Sequence, residues 1–217
     1  EIRTPLNGIM GFSSVIAENS TNQEERAMYH QMIEKNAKTL LNTIDDILDI
    51  AKIKSQQIDV QKENINVNSL LLELKKMFFF DKSYQNNVNL DIDPEVKDEE
   101  NGFIIHTDPY KLRKVLIALL DNSLKFTREG NINFGYRKQN GYLRFFVADT
   151  GIGISKSNKE DIFNSFNQVE SGLTRNYSGV GLGLTIAKSF IEILGGKIWF
   201  ASEINKGSTF YFTVPQN

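Results

Sequence analysis

The chain has 217 residues, 40% of them hydrophobic, enough for one large domain or a smaller domain with an extension. Its 25 basic and 27 acidic residues leave a net charge of −2, which supplies no general field for nucleic acid, and no nucleic-acid partner is expected. The lack of cysteine excludes disulfides, thiol nucleophiles and Cys-ligated zinc, and the two histidines, His30 and His106, have no H-E-x-x-H spacing that would argue for a metal site.

No apolar run approaches the roughly 20 residues needed to span a bilayer, and no signal peptide is recognisable, so this stretch is expected to stay out of the membrane. A first residue of Glu1 rather than Met predicts a piece of something longer.

Ile2, Leu6, Ile9, Ser13 and Ile16 follow alternating spacings of four and three, and Ile33, Ala37, Leu40, Ile44, Ile47 and Ala51 repeat them after the polar break from Glu18 to Gln23. This predicts an antiparallel helical hairpin over residues 1–57. Met32, Leu41 and Leu48 widen the apolar face of the second helix beyond what one partner helix needs. Two helices make a poor core, so a four-helix bundle formed by dimerisation is the economical solution; folding onto the rest of the chain is the other. Thr4-Pro5 reads by itself as a helix N-cap followed by a first-turn proline.

From residue 58 onward the pattern is mixed. Ile58-Asp-Val60 reads as a short strand, and Asn68 or Ser69 as the cap of a helix through Leu70, Leu71, Leu74 and Met77. Val88 to Ile92 and Phe103 to Thr107 read as strands, and Asp108-Pro109 opens a helix running through Leu112, Val115, Leu116, Leu119 and Leu120. Asn131 to Arg137 and Tyr142 to Ala148 form a hairpin around Asn140-Gly141, and residues 155–178 read as a loop. A helix from Leu182 to Leu194 stops at Gly195-Gly196, before a last hairpin of Lys197 to Ala201 and Ser208 to Val214. The fold class is therefore α+β: the hairpin, then an α/β sandwich over residues 58–217 with a mixed sheet and helices on one face.

Three motifs in the second region converge on a nucleotide. Asn122 and Lys125 lie one helical turn apart and away from Leu116, Leu119 and Leu120; an amide oxygen suits Mg²⁺ and an ammonium suits phosphate. Asp149 ends an apolar strand just before Gly151 and Gly153, where a carboxylate can accept from the exocyclic amine of a base and glycines let the base lie against the backbone. Gly179, Gly181 and Gly183 lead into a helix whose first N–H groups can face phosphate. A solvated polar face, an ordinary Asp-Thr-Gly turn and a glycine hinge are the plainer readings of each motif alone. Neither G-x-x-x-x-G-K-[ST] nor a strand followed by G-x-G-x-x-G occurs.

These residues resemble the catalytic core of sensor histidine kinases, whose ATP-binding domain shares its fold with ATP-clamp chaperones and type II topoisomerases. Asn122 to Thr127 is similar to the N box, Asp149 to Ile154 to the first glycine box, Asp161 to Phe166 to the phenylalanine box, and Gly179 to Leu184 to the second glycine box. Glu1-Ile-Arg-Thr4-Pro5-Leu-Asn-Gly-Ile resembles the histidine-box segment of dimerisation and phosphotransfer hairpins. The resemblance implies ATP and Mg²⁺ as cofactors, with Asn122 on the metal, Lys125 on the phosphates and Asp149 on the adenine amine. Thr209 would reach adenine through water. Phe126, Gly151, Gly153, Ile154, Gly179, Gly181, Leu182 and Gly183 complete the expected ATP site, with Phe163 and Phe166 anchoring a lid over residues 165–179.

It also implies Glu1 as acid/base beside an attacking imidazole, Thr4 as the residue positioning water for dephosphorylation of a regulator, a homodimer, a receiver-domain partner and a cytoplasmic location. Two departures accompany it. The family's phosphoacceptor histidine immediately precedes the position of Glu1, and His30 is no substitute, being roughly 12 residues, or about 18 Å, nearer the hairpin turn at 1.5 Å per residue. Ala118, one turn before Asn122, stands where many relatives carry another asparagine. The alternative to a kinase is a degenerate relative acting as a dimeric scaffold or as a regulator phosphatase.

Overall fold

The structure is a computed structural model that describes residues 2–18, 22–80, 87–93, 95, 102–155, 162–163 and 181–216. Its contacts divide the chain into two compact units, the first reaching Ile58 and the second starting at Asp59.

The first unit is a hairpin of α1 (Arg3–Ala17) and α2 (Gln23–Lys54). Gly8 packs against Asn36, and Phe12 stacks on Tyr29 at 5.8 Å, so rising number on α1 meets falling number on α2, as an antiparallel pair requires. A capping box starts α2: Asn22 Oδ1 accepts from the Glu25 amide at 2.8 Å, and Glu25 Oε2 accepts from the Asn22 amide at 3.0 Å. The Thr4 cap does not form. Ile2 occupies the N-cap position in helical conformation, and Thr4 is the second helical residue, exposed. Pro5 is then third, within the first turn, where a missing N–H removes no intrahelical bond. Leu6, Met10, Leu41, Ile44, Ile47 and Leu48 are exposed on this unit, whose buried residues among those described are Pro5, Thr43 and Asp49.

The second unit contains β1 (Glu63–Asn66), α3 (Val67–Phe80), β2 (Asn87–Ile92), β3 (Ile104–Thr107), α4 (Pro109–Phe126), β4 (Glu129–Gln139), β5 (Tyr142–Asp149), α5 (Gly183–Ile193), β6 (Ile198–Glu203) and β7 (Gly207–Pro215). β1 and β3 form a separate antiparallel pair; the main sheet runs β2-β4-β5-β7-β6, with β2 parallel to β4 and the remaining pairs antiparallel.

Two local expectations are corrected. Residues 58–60 form no strand; β1 lies at 63–66, too polar to show by alternation, and is specified by its pairing with β3. Helix α3 is capped by Asn66, whose Oδ1 accepts from the Ser69 amide at 3.0 Å, while Asn68 Oδ1 accepts instead from the Tyr136 hydroxyl at 2.8 Å. Most of the loop read at 155–178 lies outside the described residues.

Strand parity builds the core. Ile132, Phe134 and Tyr136 of β4, Leu143, Phe145 and Val147 of β5, and Phe210, Phe212 and Val214 of β7 are all buried. The register sets Phe145 opposite Phe212, and their rings stack at 4.7 Å. Leu71 and Leu74 of α3, Leu112, Val115, Leu116, Leu119 and Leu120 of α4, and Ile186, Phe190 and Ile191 of α5 supply the helical side of the core. Asn140 and Gly141 join β4 to β5 with φ of 45° and 80°, the two positive values that a type I′ turn demands.

Candidate nucleotide site

Asp149 is the last residue of β5 and continues the inward row Leu143, Phe145, Val147. A carboxylate at the end of an apolar row has to find donors, and here both nearest donors are backbone. Oδ1 accepts from the Gly151 amide at 2.9 Å and the Ser208 amide at 3.1 Å. The Ser123 hydroxyl of α4 approaches Oδ2 at 3.4 Å. Burial pushes the Asp149 carboxyl above its ordinary value, opposed by the Gly151 and Ser208 amides and the Ser123 hydroxyl.

The glycines after Asp149 have a packing reason of their own. A side chain at Gly151 would strike the Phe126 carbonyl, and one at Gly153, whose φ is +69°, would strike the Glu203 carbonyl. Close approach allows hydrogen bonds to clasp the turn. The Ile152 amide donates to the Phe126 carbonyl at 3.2 Å, the Asn205 amide to the Ile152 carbonyl at 2.8 Å, and the Ile154 amide to Ser202 Oγ at 2.8 Å. The end of α4, the turn after β5 and the turn between β6 and β7 thus form one backbone framework around Asp149.

Asn122 and Lys125 are half-buried in the last turns of α4, as is Phe126. Gly181 has φ +67°, Leu182 is buried, and α5 starts at Gly183. Its N-cap, Leu182, makes no side-chain cap, so no acceptor from the N-cap residue competes with an anion for the first-turn N–H groups. Gly183 faces Ala118: a Cβ there would lie 3.7 Å from that of Ala118, an ordinary contact. The small residue at 118 therefore sits where α4 and α5 approach closely.

Phe163 is half-buried against Phe200 at 6.1 Å and Phe210 at 6.5 Å, and its carbonyl accepts from the Thr185 hydroxyl at 3.1 Å. These contacts make it an anchor on the sheet and α5. Glu1, Phe166 and Gly179 lie outside the described residues.

Thr209 is corrected. It pairs with Ala148, whereas Asp149 pairs with Ser208, so strand alternation turns the Thr209 side chain to the opposite face of the sheet from Asp149. Ser208, not Thr209, lies on the Asp149 side of the sheet. The residues missed in the sequence are Ser123, Ser202 and Ser208. For Ser208 a signal existed, because Phe210, Phe212 and Val214 fix the inward parity of the strand.

The donor set fits a nucleotide with Mg²⁺. Among the described residues no group of three or more His, Asp or Glu side chains could hold a metal by itself. One amide oxygen from Asn122 suits an ion that prefers phosphate and water as its remaining ligands.

A mixed sheet with helices on one face, an inward carboxylate at a strand end and an uncapped helix N-terminus nearby define an α/β nucleotide-binding domain carried behind a helical hairpin. Comparison with known proteins narrows that class. Residues 107–217 match the family model "Histidine kinase-, DNA gyrase B-, and HSP90-like ATPase", and residues 1–56 match "His Kinase A (phospho-acceptor) domain". The "Autoinducer 2 sensor kinase/phosphatase LuxQ" of Vibrio vulnificus is 35% identical over 99% of this chain, which spans 25% of LuxQ. Among solved structures, full-length ShkA in complex with AMPPNP matches 98% of this chain and 43% of its own, with a TM-score of 0.72 and 25% identity. The fold is also that of histidine kinase ThkA in complex with the response regulator protein TrrA, with a TM-score of 0.66 and 24% identity over 100% of this chain and 59% of ThkA. The chain belongs to the histidine kinase family and comprises its phosphoacceptor-type hairpin and its ATPase-type domain. It spans between 10% and 30% of the length of curated relatives that it matches.

Proposed function

We propose that this chain is the core that moves the γ-phosphoryl group of ATP to a histidine and from there to an aspartate on a response-regulator receiver domain. The observation carrying this reading is the pairing of an inward, amide-pinned Asp149 with a phosphoacceptor-type hairpin in one chain. Ionised Asp149 accepts from the adenine amine through Oδ2, the oxygen that the two amides leave free. Lys125 pairs with phosphate, the N–H groups of the first turn of α5 cradle the phosphate chain, and Asn122 supplies an oxygen to Mg²⁺. Mg²⁺, when bound, offsets phosphate charge that would otherwise oppose transfer. Phe163 anchors its own segment on the sheet and α5, and Ser208 replaces Thr209 at the adenine.

The acceptor is the histidine that the family carries immediately ahead of the position of Glu1, with Glu1 as its acid/base partner. Thr4 is exposed on α1, suited to acting on a docked receiver. The exposed Leu6, Met10, Leu41, Ile44, Ile47 and Leu48 are the face that a second copy covers in a four-helix bundle. Residues 1–57 are the dimerisation and phosphotransfer domain and 58–217 the catalytic domain. Among the described residues no helix is long and apolar enough to cross a membrane, and we assign the core to the cytoplasm, where ATP and the regulator meet.

The test is incubation of the chain, extended upstream of Glu1 with its native residues, with γ-labelled ATP. Acid-labile label retained by the protein and then passed to a receiver domain is the expected result. Nucleotide binding without any label would overturn the kinase reading in favour of a scaffold or phosphatase.

A further inference from the structure

The two oxygens of Asp149 have different surroundings. Oδ1 takes both backbone donors, the amides of Gly151 and Ser208. These are main-chain groups of the turn after β5 and the start of β7, so truncating a side chain does not delete either donor. Oδ2, the oxygen assigned to the ligand, is approached by a side chain, the Ser123 hydroxyl at 3.4 Å. Ser123 is only 2% exposed and stands between Asn122 and Leu124 on α4. A helical serine commonly returns its hydroxyl to the carbonyl four residues back; that of Ser123 is directed across to β5 instead. The separation is long for a hydroxyl–carboxylate pair, and hydrogen bonds of a binding site commonly tighten when ligand completes it.

We infer that Ser123 is a positioning residue for base selection, its hydroxyl orienting Asp149 Oδ2 and holding it as an acceptor for an exocyclic amine. The inference rests on the assignment of Asp149 to adenine. Two donors on Oδ1 fix one corner of the carboxylate and leave its plane free to swing about that corner; a third donor on the other oxygen fixes the plane. The same bond favours the protonation state that the site needs, because an ionised carboxylate accepts from an amine and a protonated one presents a donor to it. Among the described residues, the groups acting on Asp149 are the three neutral donors Gly151, Ser208 and Ser123, set against burial, and none is a charged side chain. Of the three, Ser123 is the one that a side-chain substitution removes.

The experiment is calorimetric binding of Mg-ADP and of Mg-IDP, which lacks the exocyclic amine, to the unmodified chain, Ser123→Ala, Asp149→Asn and the double variant, from pH 5 to 8. The unmodified chain is expected to prefer ADP. Ser123→Ala should weaken ADP by about 3- to 10-fold, the share of one hydrogen bond, and leave IDP unchanged. The acid-side loss of ADP binding should move to higher pH in Ser123→Ala. In the Asp149→Asn background, Ser123→Ala should add nothing.

Equal weakening of ADP and IDP would show a packing role and overturn the inference. So would an unshifted pH profile with unchanged ADP affinity, or a Ser123 effect that persists without Asp149. An unmodified chain with no preference for ADP over IDP would instead sink the adenine assignment, and the inference with it.

Discussion

The Lys111 ammonium lies 2.6 Å from Asp108 Oδ2, with the two side chains 7% and 4% exposed. The pair closes a loop of long sequence range. Asp108 also caps α4 through the Lys111 amide at 3.0 Å and accepts from the Gln61 amide at 3.0 Å, while Lys111 donates to the Asp59 carbonyl at 2.7 Å. The first residues of the second unit are thereby fastened to the start of the helix that ends at Asn122 and Lys125.

Lys111→Met should therefore destabilise the second unit by about 3 kcal/mol, because it leaves a buried carboxylate without its counter-charge. Asp108→Asn in the same chain should recover part of that loss. Burial raises the Asp108 carboxyl, but the Lys111 ammonium and the amides of Lys111 and Gln61 outweigh it and hold it below its ordinary value. Its stabilising contribution is present above the unfolded carboxylate value near about 4 and is lost as pH falls through the folded value. Urea midpoints between pH 3 and 7 check both statements, and an acid-side slope unchanged by Lys111→Met would contradict the second.

Asp149 carries the opposite sign. Its carboxyl is raised in the folded chain, so ionising it opposes folding, and the penalty grows as pH rises past the unfolded value. Asp149→Asn should raise the melting temperature of the nucleotide-free chain at pH 7, with the gap closing at low pH. It should also sharply reduce the stabilisation conferred by Mg-ATP. Thermal scans with and without nucleotide measure both; a variant stabilised by Mg-ATP as fully as the unmodified chain would remove Asp149 from the site.

Two glycines of the site should respond differently to alanine. Gly207 has φ +105°, and a Cβ there would run into the Asp149 carbonyl, so Gly207→Ala should cost about 2 kcal/mol or more and displace the neighbouring Ser208 amide from Asp149. At Gly183 the new methyl meets Ala118 at an ordinary 3.7 Å, inside the first turn of α5. Gly183→Ala should leave stability unchanged or raise it by about 0.5–1 kcal/mol. Denaturant unfolding separates the two, and equal losses would refute the packing account.

On the hairpin, Leu41 and Leu48 are exposed seven residues apart on α2. Leu41→Glu together with Leu48→Glu should convert a dimer to a monomer in light scattering while the second unit keeps its affinity for Mg-ADP. A dimer that survives both charges would place the self-association face elsewhere.

Periodicity in the sequence specified both helices of the hairpin, and apolar alternation with turn signals specified all five strands of the main sheet to within two residues of their ends. Asp108-Pro109 and Asn140-Gly141 announced a helix start and a turn because each acts through its own backbone within a few residues. β1 escaped notice because Glu63-Asn-Ile-Asn66 has no alternation; pairing with β3, some forty residues away in sequence, makes it a strand. The cap of α3 moved from Asn68 to Asn66 because Asn68 is engaged by Tyr136, 68 residues away in sequence.

At the candidate site the sequence by itself determined the residue types: an Asn and a Lys one turn apart, a carboxylate ending an apolar strand, and glycines where backbone must bend or approach closely. These follow from local geometry and from chemistry that each residue carries alone. Only the tertiary structure decided how they are held. Ser208 rather than Thr209 shares the face of Asp149, the glycine turn is clasped by Phe126, Ser202 and Asn205, and Ser123 reaches Oδ2. Each of those relationships joins segments far apart in the chain, set by strand register and helix packing rather than by any local preference.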